Sequence, residues 1–167
     1  MNGADRIKQE MLQEFGEAYR SFGLSKLMGR VVALLLFSPE PLSLDEIAGQ
    51  LEMSKGPISQ ITRRLADRHL VRKVWKPGSR KDYYEAVPEI FENAFRNYFT
   101  LIKNNTRIAR RLKAAVEQEN DPALESLHRR MIEMERFYEI MEKHFQNFLD
   151  EWIAERASLY NEIASDS

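Results

Sequence analysis

The chain contains no cysteine, only 7 glycines and 6 prolines among 167 residues, and no apolar run longer than the seven residues 31–37. Without cysteine there is no disulfide framework, no thiolate metal site, no cysteine nucleophile and no thiol redox switch. A reducing, cytoplasmic compartment fits that composition. Seven apolar residues fall far short of the roughly 18 to 20 that cross a bilayer, so no membrane contact is expected. The first ten residues mix Asp5, Arg6, Lys8 and Glu10 with no apolar block, which predicts no secretory signal. On that reading the glycosylation pattern Asn104-Asn105-Thr106 is a chance match. A glycine-rich phosphate loop, a nucleophile elbow and a zinc helix motif are missing too. His69, His128 and His144 are scattered. Glu125 and His128 have the spacing of half a di-iron carboxylate motif, but no second copy exists, so they read as a surface pair. No enzyme, metal site or cofactor is expected.

What is present is helix-forming composition and an uneven charge. Hydrophobic residues make up 43 % and charged residues 31 % of the chain, and the net charge is only −1. Residues 54–84 nevertheless hold nine basic residues (Lys55, Arg63, Arg64, Arg68, Arg72, Lys73, Lys76, Arg80 and Lys81) against Asp67 and Asp82, a net +7. The rest of the chain, with sixteen basic and twenty-four acidic residues, carries −8. A basic island in an acidic chain points to a local polyanion contact, the alternative being a solvated face.

The apolar spacing divides the chain. Ile7, Met11, Phe15, Ala18 and Phe22 step by four and three, predicting an amphipathic helix over residues 5–22 that Gly23 ends. A second helix, roughly 24–37, is apolar nearly all round and should be buried on several sides. Pro39 and Pro41 break it. Ser43 and Glu46 then form a capping box, with Leu42 and Ile47 as a hydrophobic staple, and Leu44, Ile47, Ala48 and Leu51 on one face. After the tight turn Glu52-Met53 another helix starts at Ser54, with Pro57 tolerated in its first turn. Residues 71–76 and 82–87, rich in β-branched and aromatic side chains, flank Pro77-Gly78 and predict a hairpin with a basic tip. From Phe91 a stripe of Phe95, Tyr98, Ile102, Asn105, Ala109, Leu112 and Val116 predicts a helix of up to about 30 residues. Asp121 and Pro122 restart the chain. Leu124, Leu127, Met131, Met134, Tyr138, Met141, Phe145, Phe148 and Trp152 then mark a last helix that buries against partner helices.

A capped short helix, a tight turn, a helix carrying basic residues and a basic hairpin describe a winged helix-turn-helix. The expected fold is therefore mainly α with a small β-hairpin wing: a dimerisation helix in 1–23, a winged helix-turn-helix DNA-binding domain in 24–88 and a helical dimerisation region in 89–167. On a helical wheel Ile58, Ile61 and Leu65 share the buried face. Gly56, Gln60, Arg63, Arg64 and Asp67, flanked by Pro57 and Ser59, take the other. Arginine pairs with guanine in a bidentate manner and glutamine with adenine, while the amides of Ser54, Lys55 and Gly56 suit a phosphate. Lys76, Ser79, Arg80 and Lys81 would carry the wing to the adjacent backbone or groove. The partner is thus expected to be double-stranded DNA, addressed by a homodimer. A winged-helix module that meets an acidic protein is the alternative.

Over residues 28–86 the strings Met28-Gly29-Arg30, Pro41-Leu42-Ser43-Leu44-Asp45-Glu46-Ile47-Ala48, Ser54-Lys55-Gly56 and Val74-Trp75-Lys76-Pro77-Gly78-Ser79-Arg80-Lys81-Asp82-Tyr83-Tyr84 carry a family likeness. On them the chain resembles the GbsR group of the MarR superfamily of prokaryotic transcriptional regulators. The resemblance implies a homodimer, a recognition helix beginning at Ser54, a wing tipped by Arg80 and control of a small set of genes, in some relatives linked to osmoprotectant uptake or synthesis. It covers about a third of the chain closely, and no motif of the C-terminal helices is carried over. Aromatic faces at Trp75, Tyr84, Phe91, Phe95 and Tyr98 would suit a quaternary amine as a small-molecule effector; the same rings also serve to fill a core and a dimer seam.

Overall fold

Asn2 opens the first helix by a reciprocal cap: its side chain accepts the Asp5 N–H at 2.9 Å and its own N–H donates to the Asp5 carboxylate at 3.4 Å. The computed structural model describes residues 2–165; Met1, Asp166 and Ser167 lie outside the described residues. The order is α1 (Gly3–Ser21), α2 (Lys26–Phe37), β1 (Leu42–Ser43), α3 (Leu44–Gln50), α4 (Lys55–Asp67), β2 (Val71–Val74), β3 (Tyr83–Ala86), α5 (Ile90–Glu119), a 3-10 turn (Pro122–Leu124) and α6 (Glu125–Ser165). These form two compact units, one ending at Ala94 and the other starting at Phe95.

The first unit is built on α2. Val31, Val32, Ala33, Leu34 and Leu35 are all buried, as the all-round apolar pattern requires, and they share one core with Ile47, Leu51, Ile58, Leu65, Leu70 and Val71. Burying such a side chain stabilises by roughly 1.5 to 3 kcal/mol each. Leu12 of α1 belongs to the same core, with Met11, Phe15 and Tyr19 packed against it. The N-terminal helix, set apart as residues 1–23 in the sequence reading, is therefore part of the winged unit. Its crossing with α2 is close. A Cβ on Gly29 would lie 2.2 Å from the Phe15 carbonyl oxygen and 3.0 Å from the Gly16 Cα, so only hydrogen at that position lets the backbones meet.

The hairpin strands pair antiparallel with Val71 opposite Ala86 and Val74 opposite Tyr83. A third strand, β1, adds to the outer side of β3, with Leu42 opposite Tyr84 and Ser43 opposite Tyr83. Two residues are too few to show alternation, so the sequence gives no sign of this strand. Pro77 and Gly78 turn the tip: the Ser79 N–H donates to the Lys76 carbonyl at 3.2 Å, and Gly78 sits at φ +77°, as a type II turn demands.

Helix α5 is 30 residues long and α6 41, about 45 and 60 Å; α5 starts in the first unit, and from Phe95 on the two helices make up the second. Phe99, Ile102 and Leu149 form the buried centre of the second unit, with Phe95, Tyr138, Met141 and Phe145 packed around it. The predicted α5 stripe is corrected here. Phe91 and Tyr98 are 64 % and 53 % exposed, and Phe99 and Thr106 are buried in place of Tyr98 and Asn105. A four-and-three count can slip by one position along a helix whose apolar residues are crowded. The Thr106 hydroxyl bonds to the Glu142 carboxylate, which offsets its burial; the glycosylation-like triplet is thus inside a helix.

Candidate nucleic-acid interface

The site is assembled by three local devices. In the first, the Ser43 N–H and hydroxyl each donate to Glu46 Oε2 at 2.7 Å, and the Glu46 N–H returns to the Ser43 hydroxyl at 3.3 Å. These bonds to Ser43 hold the Glu46 carboxyl below the usual glutamate range. The second is the turn: the Met53 N–H donates to the Ala48 carbonyl at 2.9 Å, with Glu52 left-handed at φ +54°. The third closes α4, where the Leu70 N–H reaches the Leu65 carbonyl at 2.9 Å around His69 at φ +57°, and the Asn93 side chain caps the His69 carbonyl at 2.8 Å.

These devices orient α4. Ile58, Ile61, Thr62 and Leu65 face the core, and the Thr62 hydroxyl is satisfied by the Ile58 and Ser59 carbonyls. Lys55, Gly56, Pro57, Gln60, Arg63 and Arg64 are exposed, and Ser59 is half-buried. Ser54 is the N-cap but makes no side-chain cap bond, so the first amides of α4 are left without that partner. A Cβ on Gly56 would meet nothing within 4 Å; within the protein, nothing demands glycine there.

Eight of the nine basic residues of the island divide by whether an acidic or ring partner holds them, a division the sequence could not supply. Arg72 pairs with Glu85 at 2.6 Å and Lys73 with Asp82 at 2.8 Å, so both serve the hairpin. Asp45 of α3 takes two lysines, Lys55 at 2.9 Å on one carboxylate oxygen and Lys81 at 3.2 Å on the other. The hydrogen bonds from Lys55 and then Lys81 draw its carboxyl below the usual aspartate range. Lys81, expected at the tip beside Arg80, is thus turned back to α3. Lys76 lies over the Tyr83 ring at 4.5 Å. Ser79 accepts from the Lys81 N–H at 3.1 Å and bonds to the Tyr83 hydroxyl at 3.3 Å, which makes it a builder of the wing. Arg63, Arg64 and Arg80 make no ion pair among the described residues. Asp45 was missed as a site residue because its partners lie 10 and 36 positions away; its place in the first turn of α3 reads as a simple dipole match.

The five aromatic candidates are divided. Trp75 and Phe91 are exposed and Tyr84 packs on the core of the first unit. In the second unit Phe95 stacks on Phe145, with centroids 4.8 Å apart, and touches Phe148 at 4.6 Å, while Tyr98 lies 5.8 Å from Phe145. Tyr84 and Phe95 therefore belong to hydrophobic cores. Glu125 and His128 do not act as a pair: His128 bonds to Glu117 at 2.9 Å and Glu125 to Arg129 at 3.7 Å. Among the described residues no cluster of three potential metal ligands occurs, and no helix is long and apolar enough to cross a membrane.

No family model matches the chain. Curated relatives do: the HTH-type transcriptional repressor OpcR of Bacillus subtilis is 26 % identical over 88 residues, covering 53 % of this chain and 48 % of that protein. The HTH-type transcriptional repressor GbsR of the same organism is 25 % identical over 95 residues, 57 % and 52 % of the two chains. The chain thus spans about half the length of the curated relatives it matches. A crystal structure of a transcriptional regulator superposes with a TM-score of 0.74 at 25 % identity, over 89 % of this chain and 99 % of the other. These relatives are regulators, a non-enzymatic class. In its capping box, the exposed face of α4 and its three-stranded wing, the chain is thus similar to HTH-type transcriptional regulators, GbsR among them.

Proposed function

We propose that the protein is a cytoplasmic, sequence-specific DNA-binding transcriptional regulator, working as a repressor and as a homodimer. The observation that carries this reading is the exposed face of α4, with Gln60, Arg63 and Arg64 beside a wing that presents Arg80. Gln60, Arg63 and Arg64 are the side chains that discriminate base edges in the major groove. The open amides of Lys55 and Gly56 suit a backbone phosphate, and Lys76 and Arg80 suit the flanking backbone. Pro57 and Ser59 sit within the same approach surface. The names of OpcR and GbsR, both repressors, support the direction of control.

The homodimer is supported by apolar side chains that one protomer leaves in water, among them Ile7 of α1 and Ile153, Leu159 and Tyr160 of α6. A small organic effector is the further element of the reading. Trp75 and Phe91 of the first unit are 74 % and 64 % exposed and offer ring faces of the kind that holds a quaternary ammonium. Calorimetry with choline and betaine, with and without DNA, tests it, and equal affinity in both conditions would remove the switch.

The test of the central reading is selection of bound fragments from the source genome followed by mobility shift. A small set of shifted fragments sharing an inverted repeat is expected. Uniform binding to all fragments, or none, would favour the protein-interaction alternative.

A further inference from the structure

Asp45 occupies an unusual place. It is an acidic side chain inside the most basic surface of the chain, and each of its carboxylate oxygens holds one lysine: Lys55 from the start of α4 and Lys81 from the wing. All three side chains stay about half exposed, at 48 %, 59 % and 61 %. A DNA phosphate would offer the same two lysines the same thing, a compact anion with more than one oxygen. We propose that Asp45 is an internal stand-in for a DNA phosphate. It gathers Lys55 and Lys81 into one anion-binding pair in the free protein and competes with DNA for them.

This deepens the DNA-binding reading and rests on it. Two consequences follow from charge alone. To engage a phosphate, the lysines must leave the carboxylate, which then sits uncompensated beside the polyanion and gathers a cation from solution. Binding is therefore weaker, and its salt dependence shallower, than the basic residues taken singly would make it. The penalty falls on every sequence equally. It holds down binding to random duplex while base contacts from α4 restore affinity at the right site. Asp45 is a positioning residue that sets the sequence-independent strength of DNA binding.

The experiment measures anisotropy of a labelled random 30-bp duplex across a potassium chloride series for the wild type, Asp45→Asn, Glu40→Gln and Asp45→Asn combined with Lys55→Gln and Lys81→Gln. Glu40 is exposed in the turn before β1, so its substitution makes the same change in net charge away from the lysine pair. Asp45→Asn is expected to tighten binding about two- to tenfold, the size of two exposed ion pairs, with a steeper salt slope. Glu40→Gln should do markedly less. In the background lacking both lysines, Asp45→Asn should lose its effect, measured against Lys55→Gln with Lys81→Gln alone. Thermal melts of each variant separate this from loss of α3. Weaker or unchanged binding by folded Asp45→Asn, or an equal gain from Glu40→Gln, would overturn the stand-in role while leaving DNA binding intact. Failure of the wild type to bind duplex at low salt would overturn both.

Discussion

At the residue scale, one methyl group decides the packing of α1 on α2. Gly29 meets the Phe15 carbonyl and the Gly16 backbone, neither of which can rotate away, whereas a Cβ on Gly16 would meet only the Lys26 side chain at 3.0 Å and Arg30 at 3.3 Å. Gly29→Ala should therefore destabilise the fold by about 1 to 3 kcal/mol in urea unfolding, and Gly16→Ala by clearly less. Equal effects would mean that the crossing is not set by the backbone. Arg63 and Arg64 pose a question of chemistry instead. Both are exposed on α4 without an ion pair among the described residues, so alanine at either should leave stability within about 0.5 kcal/mol. Affinity for the selected operator should fall by about 1 to 3 kcal/mol, with a smaller loss on random duplex. Identical losses on the two DNAs would reduce these residues to phosphate anchors.

At the scale of elements, α3 is seven residues long, too short to persist without its cap and its neighbours. Ser43→Ala should cost about 0.5 to 2 kcal/mol of stability. Glu46 adds a pH dependence whose sign follows from its bonds to Ser43. Its carboxyl titrates lower in the folded chain than in the unfolded one. Its stabilisation is therefore complete above the usual glutamate range and is lost as pH falls below about 4. Urea titrations of the wild type and Glu46→Gln at pH 7 and pH 3.5 check this, the difference between them shrinking at the lower pH. The wing differs in kind. Ser79, Tyr83 and the Pro77-Gly78 turn shape it; Lys81 is held by Asp45 and Lys76 lies over the Tyr83 ring, whereas Arg80 is exposed without an ion pair among the described residues. Arg80→Ala should flatten the salt slope of DNA binding by about 0.9 per protomer; an unchanged slope would place the tip away from phosphate.

At the scale of the whole molecule, the long helices expose more apolar surface than a lone protomer has reason to carry. Ile153 and Tyr160 are 48 % and 53 % exposed on the last part of α6. Sedimentation at micromolar concentration should show a dimer, and Ile153→Glu combined with Tyr160→Glu should shift it toward monomer while the helix content stays the same. Two copies should address half-sites about one helical turn, ~10 bp, apart. A monomer with full affinity for one half-site would contradict this arrangement.

The order of elements, the capping box at Ser43, the start of α4 after Ser54, the hairpin with its Pro-Gly tip and the length of α5 are all legible in the sequence, because each rests on local backbone preferences or interactions within a few residues. The core face of α4 is legible for the same reason: Ile58, Ile61 and Leu65 obey a period that one helix imposes by itself. Tertiary structure alone decided the rest. It brought Leu42 and Ser43 to the edge of the wing as a third strand, made α1 part of the winged core through Gly29, and turned Phe99 and Thr106 inward in place of Tyr98 and Asn105. It also sorted basic residues of the island into the hairpin pairs of Arg72 and Lys73, the Asp45 lysines, and the exposed Arg63, Arg64 and Arg80. Local rules act over three or four positions, whereas Asp45 and Lys81, or Phe15 and Gly29, meet only after the chain has folded back. Such contacts depend on distances that no one-dimensional pattern encodes.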